Sequence, residues 1–547
     1  MPTPRLLLLP VLLLLALAAA APAGASTTQE SMFQDDPLLV YGTETTGALP
    51  TGQSFSAAQE TVQKRTLDKL KRLGVDRIRV SVFWALVAPA NASRTKPAFN
   101  AADPGQYDPE AWTRYDKLLV NAANRGIAVN MNITSPVPRW AAGNPEREDL
   151  VGTYEPDPVE FARFVTAVGT RYSGTYRPVA GGPALPRADY WSIWNEPNQP
   201  GWLTPQWVPD RSAPGGFAEA APRIYRALAD AMWSGLQVSG HGGDTILVGE
   251  MAPKGQVTAR GISRAMKPRR FILRVYCLDD NAVPLRGADA TRNGCPTDGP
   301  VEAFRDAHPG LFKVTGLAHH PYEVSQRPDA PPLDPEFFTT ANLRALGSLM
   351  GRIFARYGAP VPGKLPGSFP LYLTEYGYQT SPPDPLGVTL AQQAAYLNQA
   401  EYLTARNRAV KTLSQFLLID DRPVAGKTAA ARFGATFQSG LQTLQGRRKP
   451  AYAAYRFPLH VVRSGRDAKV WGLLRVGRPN TRETVRIEGL ARGAKRYRTL
   501  RTVRTEPRRG YLEAAVRLTR TTRVRLAWTD PATKAVVRSR SAVIGVR

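Results

Sequence analysis

One pattern restricts this chain more than any other. From residue 38 to about 455, eight short apolar runs alternate with stretches of helical spacing. The runs are Leu38–Gly42, Arg77–Phe83, Ile127–Ile133, Tyr190–Trp194, Thr245–Gly249, Thr315–His319, Leu371–Thr374 and Lys411–Ile419. They are rich in Val, Ile and Leu, and several lack apolar/polar alternation, as parallel strands covered on both faces do. Between them, Thr61–Leu73 places Val62, Leu67, Leu70 and Leu73 on one stripe that Gly74 stops. Pro158–Tyr172, Pro222–Leu236, Thr340–Tyr357 and Leu390–Ala405 repeat that logic. Eight strand–helix repeats predict an α/β fold, a (β/α)8 TIM barrel. An open doubly wound sheet requires a Gly-x-Gly-x-x-Gly loop after the first strand, and Tyr41-Gly42-Thr43-Glu44-Thr45-Thr46-Gly47 is not one.

The ends of the chain read differently. Residues 1–25 carry a secretory signal pattern: Arg5, then the apolar run Leu6–Leu17, then Ala23-Gly24-Ala25 before Ser26. The run is shorter than the ~20 residues of a spanning helix. The expectation is a secreted, extracellular protein with no membrane segment after signal removal. In an oxidising compartment Cys277 and Cys295, the only cysteines and 18 residues apart, are expected to form a disulfide. Two cysteines also leave no basis for a cysteine-ligated zinc or iron–sulfur centre.

The tail holds the runs Val470–Val476, Thr484–Ile487, Tyr511–Val516 and Arg523–Trp528, broken by Gly, Pro and Asn, which predicts a small C-terminal antiparallel β-sandwich. The expected division is a signal at 1–25, a barrel at 26–460 and a basic sandwich at 461–547. The chain's net charge is +26, and residues 461–547, with 23 Lys/Arg and 6 Asp/Glu, carry +17 of it. The tail is either a solvated accessory domain or a module drawn to an anionic cell-wall polymer. Nucleic acid is not an expected partner, because aromatics do not interleave with the basic residues.

In a barrel, the loops at 134–157, 198–221, 252–310 and 376–389 share the face where chemistry sits. The fourth run ends Trp194-Asn195-Glu196-Pro197-Asn198 and the seventh ends Thr374-Glu375-Tyr376-Gly377. Each sets a glutamate at a strand tip. Paired carboxylates suit glycosidic cleavage: one delivers a proton to the leaving oxygen, the other attacks or shields the anomeric carbon. Glu250, Glu44 and Asp420-Asp421 follow other strands and are further candidates for the cleft, Glu250 as a substrate hydrogen-bonding group. Trp84, Trp140, Trp202 and Trp207 follow strands two to four and are candidates for stacking on sugar faces; Trp191 and Trp194 are less clearly placed.

Trp-Asn-Glu-Pro-Asn and Thr-Glu-Tyr-Gly, with eight strands in order, resemble the signature of glycoside hydrolase clan A, in the manner of families 5 and 39, over residues 38–455. The resemblance implies Glu196 as acid/base and Glu375 as nucleophile. It implies Asn195 on the sugar 2-hydroxyl, Arg79 keeping Glu375 ionised, with Arg77 facing outward, and the Tyr322 hydroxyl of His320-Pro321-Tyr322 on the nucleophile. His319 reads as a core imidazole. The implied activity is retaining hydrolysis of β-linked oligo- or polysaccharides, with no metal, nucleotide or redox cofactor. A transglycosylase using the same residues and a non-catalytic carbohydrate-binding protein stay open at this level.

Overall fold

The structure is a computed structural model and describes residues 28–43, 54–213, 215–256, 260–363, 368–434, 436–465 and 467–545. The expected signal segment and Glu44 lie outside the described residues. Eight parallel strands close into a barrel: β1 Glu30–Gln34, β2 Arg77–Phe83, β3 Ala128–Thr134, β4 Tyr190–Ile193, β5 Thr245–Met251, β6 Gly316–His319, β7 Leu371–Leu373 and β8 Val410–Phe416. Neighbours in the barrel are neighbours in sequence, and β1 pairs with both β2 and β8. This is a TIM barrel, and the alternation of runs and helices is its origin.

Helices follow the strands on the outside. The first long one, α1 Ala57–Leu73, starts at a capping box between Ser56 and Gln59 and stops at Gly74, whose φ is 81°. A Cβ at Gly74 would lie 2.5 Å from the carbonyl oxygen of Arg475, so only glycine lets this helix end abut the C-terminal domain. The outward side chains of β2, Ile78, Val80 and Val82, pack under the helices, while Arg77, Arg79 and Ser81 take the other face. Arg77 was expected to face outward. It points inward at the base of the barrel, ion-paired with Glu30 at 2.9 Å and lying over the Tyr190 ring, because its parity is that of Arg79.

The first strand is displaced from its expected place. Leu38 and Leu39 belong to a one-turn helix, Asp36–Leu39, because the Asp35 carboxylate accepts from the Leu38 N–H and Pro37 suits a first turn. The strand is Glu30–Gln34, centred on Met32 and Phe33.

Two antiparallel sheets form the C-terminal domain. Their strands are β9 Leu459–Ser464, β10 Asp467–Leu473, β11 Thr484–Ala491, β12 Arg498–Arg504, β13 Tyr511–Arg517, β14 Thr522–Thr529 and β15 Val536–Ile544, ordered 9-10-13 and 12-11-14-15. Val470, Val485, Ile487, Leu526 and Trp528 fill the space between them. The sandwich docks on the barrel through Trp471, Leu473 and Tyr511 against Ala405 and Tyr402. Cys277 and Cys295 are joined, with Cα atoms 5.7 Å apart. Among the described residues no helix is long and apolar enough to cross a membrane.

Candidate active site

The barrel's C-terminal rim is irregular where its carboxylates emerge. Beyond β4, Trp194 and Glu196 take left-handed φ values of 62° and 35°. Such conformations cost about 1–3 kcal/mol each and persist only where surroundings enforce them. Here the Glu196 N–H donates to the Glu250 carbonyl at 2.9 Å. In β5 the register against β6 slips between Gly249 and Met251, leaving Glu250 as the bulged residue with φ of 50°. The bulge turns the Glu250 side chain into the barrel.

Glu250 is fully buried and saturated. It accepts from Arg79 (3.3 and 3.1 Å), His320 Nε2 (2.7 Å) and Thr374 Oγ1 (2.6 Å). Burial alone would raise its pKa, but the Arg79 charge and the His320 contact outweigh it and hold the carboxyl down to about 2. His320, also fully buried, places Nδ1 2.9 Å from Glu196 Oε1 and 3.5 Å from Glu375 Oε2. Burial opposes its charge, yet Glu375, Glu196 and Glu250 together raise it to about 9, so at neutral pH it is an imidazolium donating from both nitrogens.

Each oxygen of Glu375 has its own donor. Arg79 reaches Oε1 at 2.8 Å and the Tyr322 hydroxyl reaches Oε2 at 3.1 Å. Arg79 also donates to Asn195 Oδ1 and Gln34 Oε1, both at 2.6 Å. Burial raises the Glu375 pKa, His320 and Arg79 pull it down, and the Glu196 and Glu250 carboxylates push it up; the net direction is upward. Arg79 therefore limits the rise without reversing it.

Glu196 and Glu375 each present an oxygen within 4.8 Å of the other and of a His320 nitrogen. By spacing alone these three could hold a metal ion. Both imidazole nitrogens already lie within hydrogen-bond distance of carboxylates, Nδ1 of Glu196 and Nε2 of Glu250, so an ion there would have to displace one of those contacts and its proton. Above the pair opens a cavity of about 420 Å³, with Asn195, Glu196, Trp202, Tyr322 and Glu375 in its lining.

Six expected substrate contacts sit elsewhere. Arg79, His320 and Glu250 form a floor beneath the carboxylates and do not line the cavity. Trp84 is fully buried outside the barrel, stacked on Phe164 at 5.5 Å, because it heads a helical turn that faces the helix layer. Trp140 packs edge-on against Trp84 and donates to the Pro89 carbonyl; Trp207 is buried and donates to the Arg264 carbonyl. Neither lines the cavity. Trp191 and Trp194 are buried, the former against His241 and the latter against Phe161. His319 is a core group whose Nε2 donates to the Phe338 carbonyl, its pKa lowered to about 4 chiefly by burial. Asp421 lines the cavity, whereas Asp420 is buried against Lys449 at 2.6 Å.

Several lining groups had no advance signal: Gln34 and Asp36 from the end of β1, Glu323 after β6, Gln379 after β7, and Phe416 and Phe437 on the β8 side. The first two were hidden by the misplaced first strand. The acidic pair Asp35-Asp36 after Met32-Phe33-Gln34 is the pattern that exposes them.

No protein-family model and no curated protein matches the chain. Solved structures are similar to it at low identity. A family 39 glycoside hydrolase from the gut symbiont Bacteroides cellulosilyticus WH2 is 13% identical, with 90% of this chain and 79% of that one covered and a TM-score of 0.43. A glucosidase from Croceicoccus marinus is 12% identical, with 91% and 95% covered and a TM-score of 0.44. A GH5_18 protein from Streptomyces cattleya, solved with GlcNAc, is 15% identical, with 79% and 80% covered and a TM-score of 0.43.

Proposed function

We propose that the protein is a retaining β-glycosidase. One observation carries this reading: two carboxylates from the tips of β4 and β7 meet within 4.8 Å at the base of an open cavity, on a buried floor of compensating charge. Retaining enzymes hold their carboxyl groups about 5–5.5 Å apart, and inverting ones about 6.5–9.5 Å. The close approach here favours the retaining arrangement, with direct attack by one carboxylate.

Glu375 is the nucleophile. Arg79 and Tyr322 aim its two oxygens, and one of them bonds to the anomeric carbon as the bond to the leaving oxygen breaks. Glu196 gives its proton to that leaving oxygen. In the second step the Glu196 carboxylate takes a proton from water, the water oxygen bonds to the anomeric carbon, and the Glu375 ester bond breaks. His320 donates to Glu196 throughout, keeping its carboxyl turned toward the cavity. Asn195, held by Arg79, is placed for the 2-hydroxyl. Trp202 supplies an aromatic face to the sugar.

The test is turnover of a panel of aryl β-glycosides, with mass spectrometry of the trapped intermediate. A glycosyl adduct on the peptide containing Glu375 is the expected result. Product of inverted configuration, or an adduct elsewhere, overturns the assignment.

The reading extends to place and partner. The protein is exported after loss of residues 1–25, with the barrel over 26–460 and the sandwich over 461–547. The +17 of that tail holds it near anionic cell-wall polymer. Exported protein whose first residue is Ser26, and polymer retention that weakens steeply with salt, are the expected findings.

A further inference from the structure

Carboxylates in the cavity are not confined to the catalytic pair. Its wall adds Asp36, Glu323 and Asp421, so five carboxyl groups face one space of about 420 Å³. Each follows a different strand: β1, β4, β6, β7 and β8. Among the described residues no lysine, arginine or histidine lines that space. Residues 44–53, which follow the lining residue Tyr41 closely in sequence, contain none either. The nearest positive charges pair with carboxylates of the floor and of the wall: Arg79 with Glu250 and Glu375, His320 with Glu250 and Glu196, and Lys254 with Glu323 at 3.2 Å; six carboxyl groups thus meet three cations, and Asp36 and Asp421 stand outside those pairs. The molecule as a whole carries +26, so the cavity opposes the sign of the protein around it.

Asp421 is held in place by its own loop. Its N–H donates to the Phe437 carbonyl, and its Oδ2 accepts from the Phe437 N–H, both at 2.9 Å. Asp36 is similarly set by the N–H of Ser81 (3.1 Å) and its hydroxyl (2.7 Å). Fixed carboxylates accept well from hydroxyl and ammonium groups. An anionic substituent entering the same space loses its hydration and meets like charge.

We propose that this cavity selects its glycosyl unit by charge: a neutral or amino-bearing sugar enters, a uronate or a sulfated or phosphorylated sugar is excluded, and Asp421 is one of the residues that discriminates. This rests on the glycosidase reading for turnover but not for binding, and the test separates the two. Matched aryl β-glycosides, each hexoside beside its uronide, are compared by kcat/KM. The hexoside is expected to be favoured at least about tenfold, and Asp421→Asn, which keeps an acceptor oxygen, narrows that ratio about threefold or more. A uronide turned over equally well or better overturns the proposal. If no aryl glycoside is hydrolysed, the glycosidase reading fails, and matched neutral, amino and uronate oligosaccharides are titrated into the full chain by calorimetry. Preference for the neutral or amino sugar then upholds charge selection. Equal or tighter binding of the uronate, or no binding of any sugar, overturns it.

Discussion

Glu250 and Glu375 share Arg79, yet their removal has different consequences. Glu250 has no exposed surface and neutralises a guanidinium that is equally buried. Glu250→Ala leaves that charge short of a partner and is expected to destabilise the fold by about 3–5 kcal/mol, read by urea denaturation. Glu375→Gln keeps acceptor and shape at the cavity edge. It should lower kcat by at least about a thousandfold while shifting the denaturation midpoint little. His320 sets the pH behaviour. Its pKa is about 9 in the fold and about 6.5 when unfolded. Its contribution to stability is complete below pH ~6.5 and is lost as pH rises through 9. Asp35, raised by burial to about 7, acts in the same direction at lower pH. Glu250, held near 2, has the opposite sign: its contribution is complete above pH ~4.5 and is lost as pH falls toward 2. The urea midpoint of the wild type is expected to fall between pH 6.5 and 9.5, and His320→Gln should flatten that fall.

At the scale of elements, the β5 bulge and the long region after it do different work. The bulge is a one-residue slip that exchanges a ladder position for a buried carboxylate under the site. The region that follows carries four short helices, Pro268–Val275, Gly287–Arg292, Val301–Ala307 and Pro309–Phe312, and is tied by Cys277–Cys295 across 18 residues. Closing a loop of that length removes unfolded-state entropy worth about 3 kcal/mol. Reduction, or the double Cys→Ser variant, is expected to lower stability by an amount of that order. The readouts are thermal unfolding and proteolysis of the 277–295 segment. The edge strand β12 shows how an element escapes notice. Arg498–Arg504 has only Leu500 and Val503 as apolar residues, and most of it is exposed, so its sequence carries no burial pattern.

Across the whole molecule, Arg475 joins the two halves. From just beyond β10 its guanidinium donates to Ser31 on β1 at 2.6 Å, and also to Glu401 and to the Tyr455 carbonyl. The first strand and the last helical turns of the barrel are thus tied to the sandwich by one buried cation. Arg475→Ala leaves the Glu401 carboxylate unpaired and is expected to cost about 3–5 kcal/mol, with the barrel and sandwich losing their shared unfolding transition in calorimetry. Arg509 adds a second tie, to Asp76 at 2.6 Å. The basic tail is therefore part of the barrel's support as well as a charged surface.

How far the chain of letters reached follows from which forces are local. Seven of the eight barrel strands were legible as apolar runs, and Glu196 and Glu375 as charged residues that end two of them, because burial of a strand and exposure of its tip are written into neighbouring residues. The two cysteines and the alternating runs of the sandwich were legible for the same reason. Barrel closure settled the rest. A side-chain cap from Asp35 turned an apolar run into a helix, parity sent Arg77 inward, and packing against Phe164 took Trp84 away from any sugar. The floor of Arg79, Glu250 and His320 joins residues up to 241 positions apart and depends on a bulge with no mark of its own in the sequence. Long-range charge compensation of that kind exists only once the strands have met.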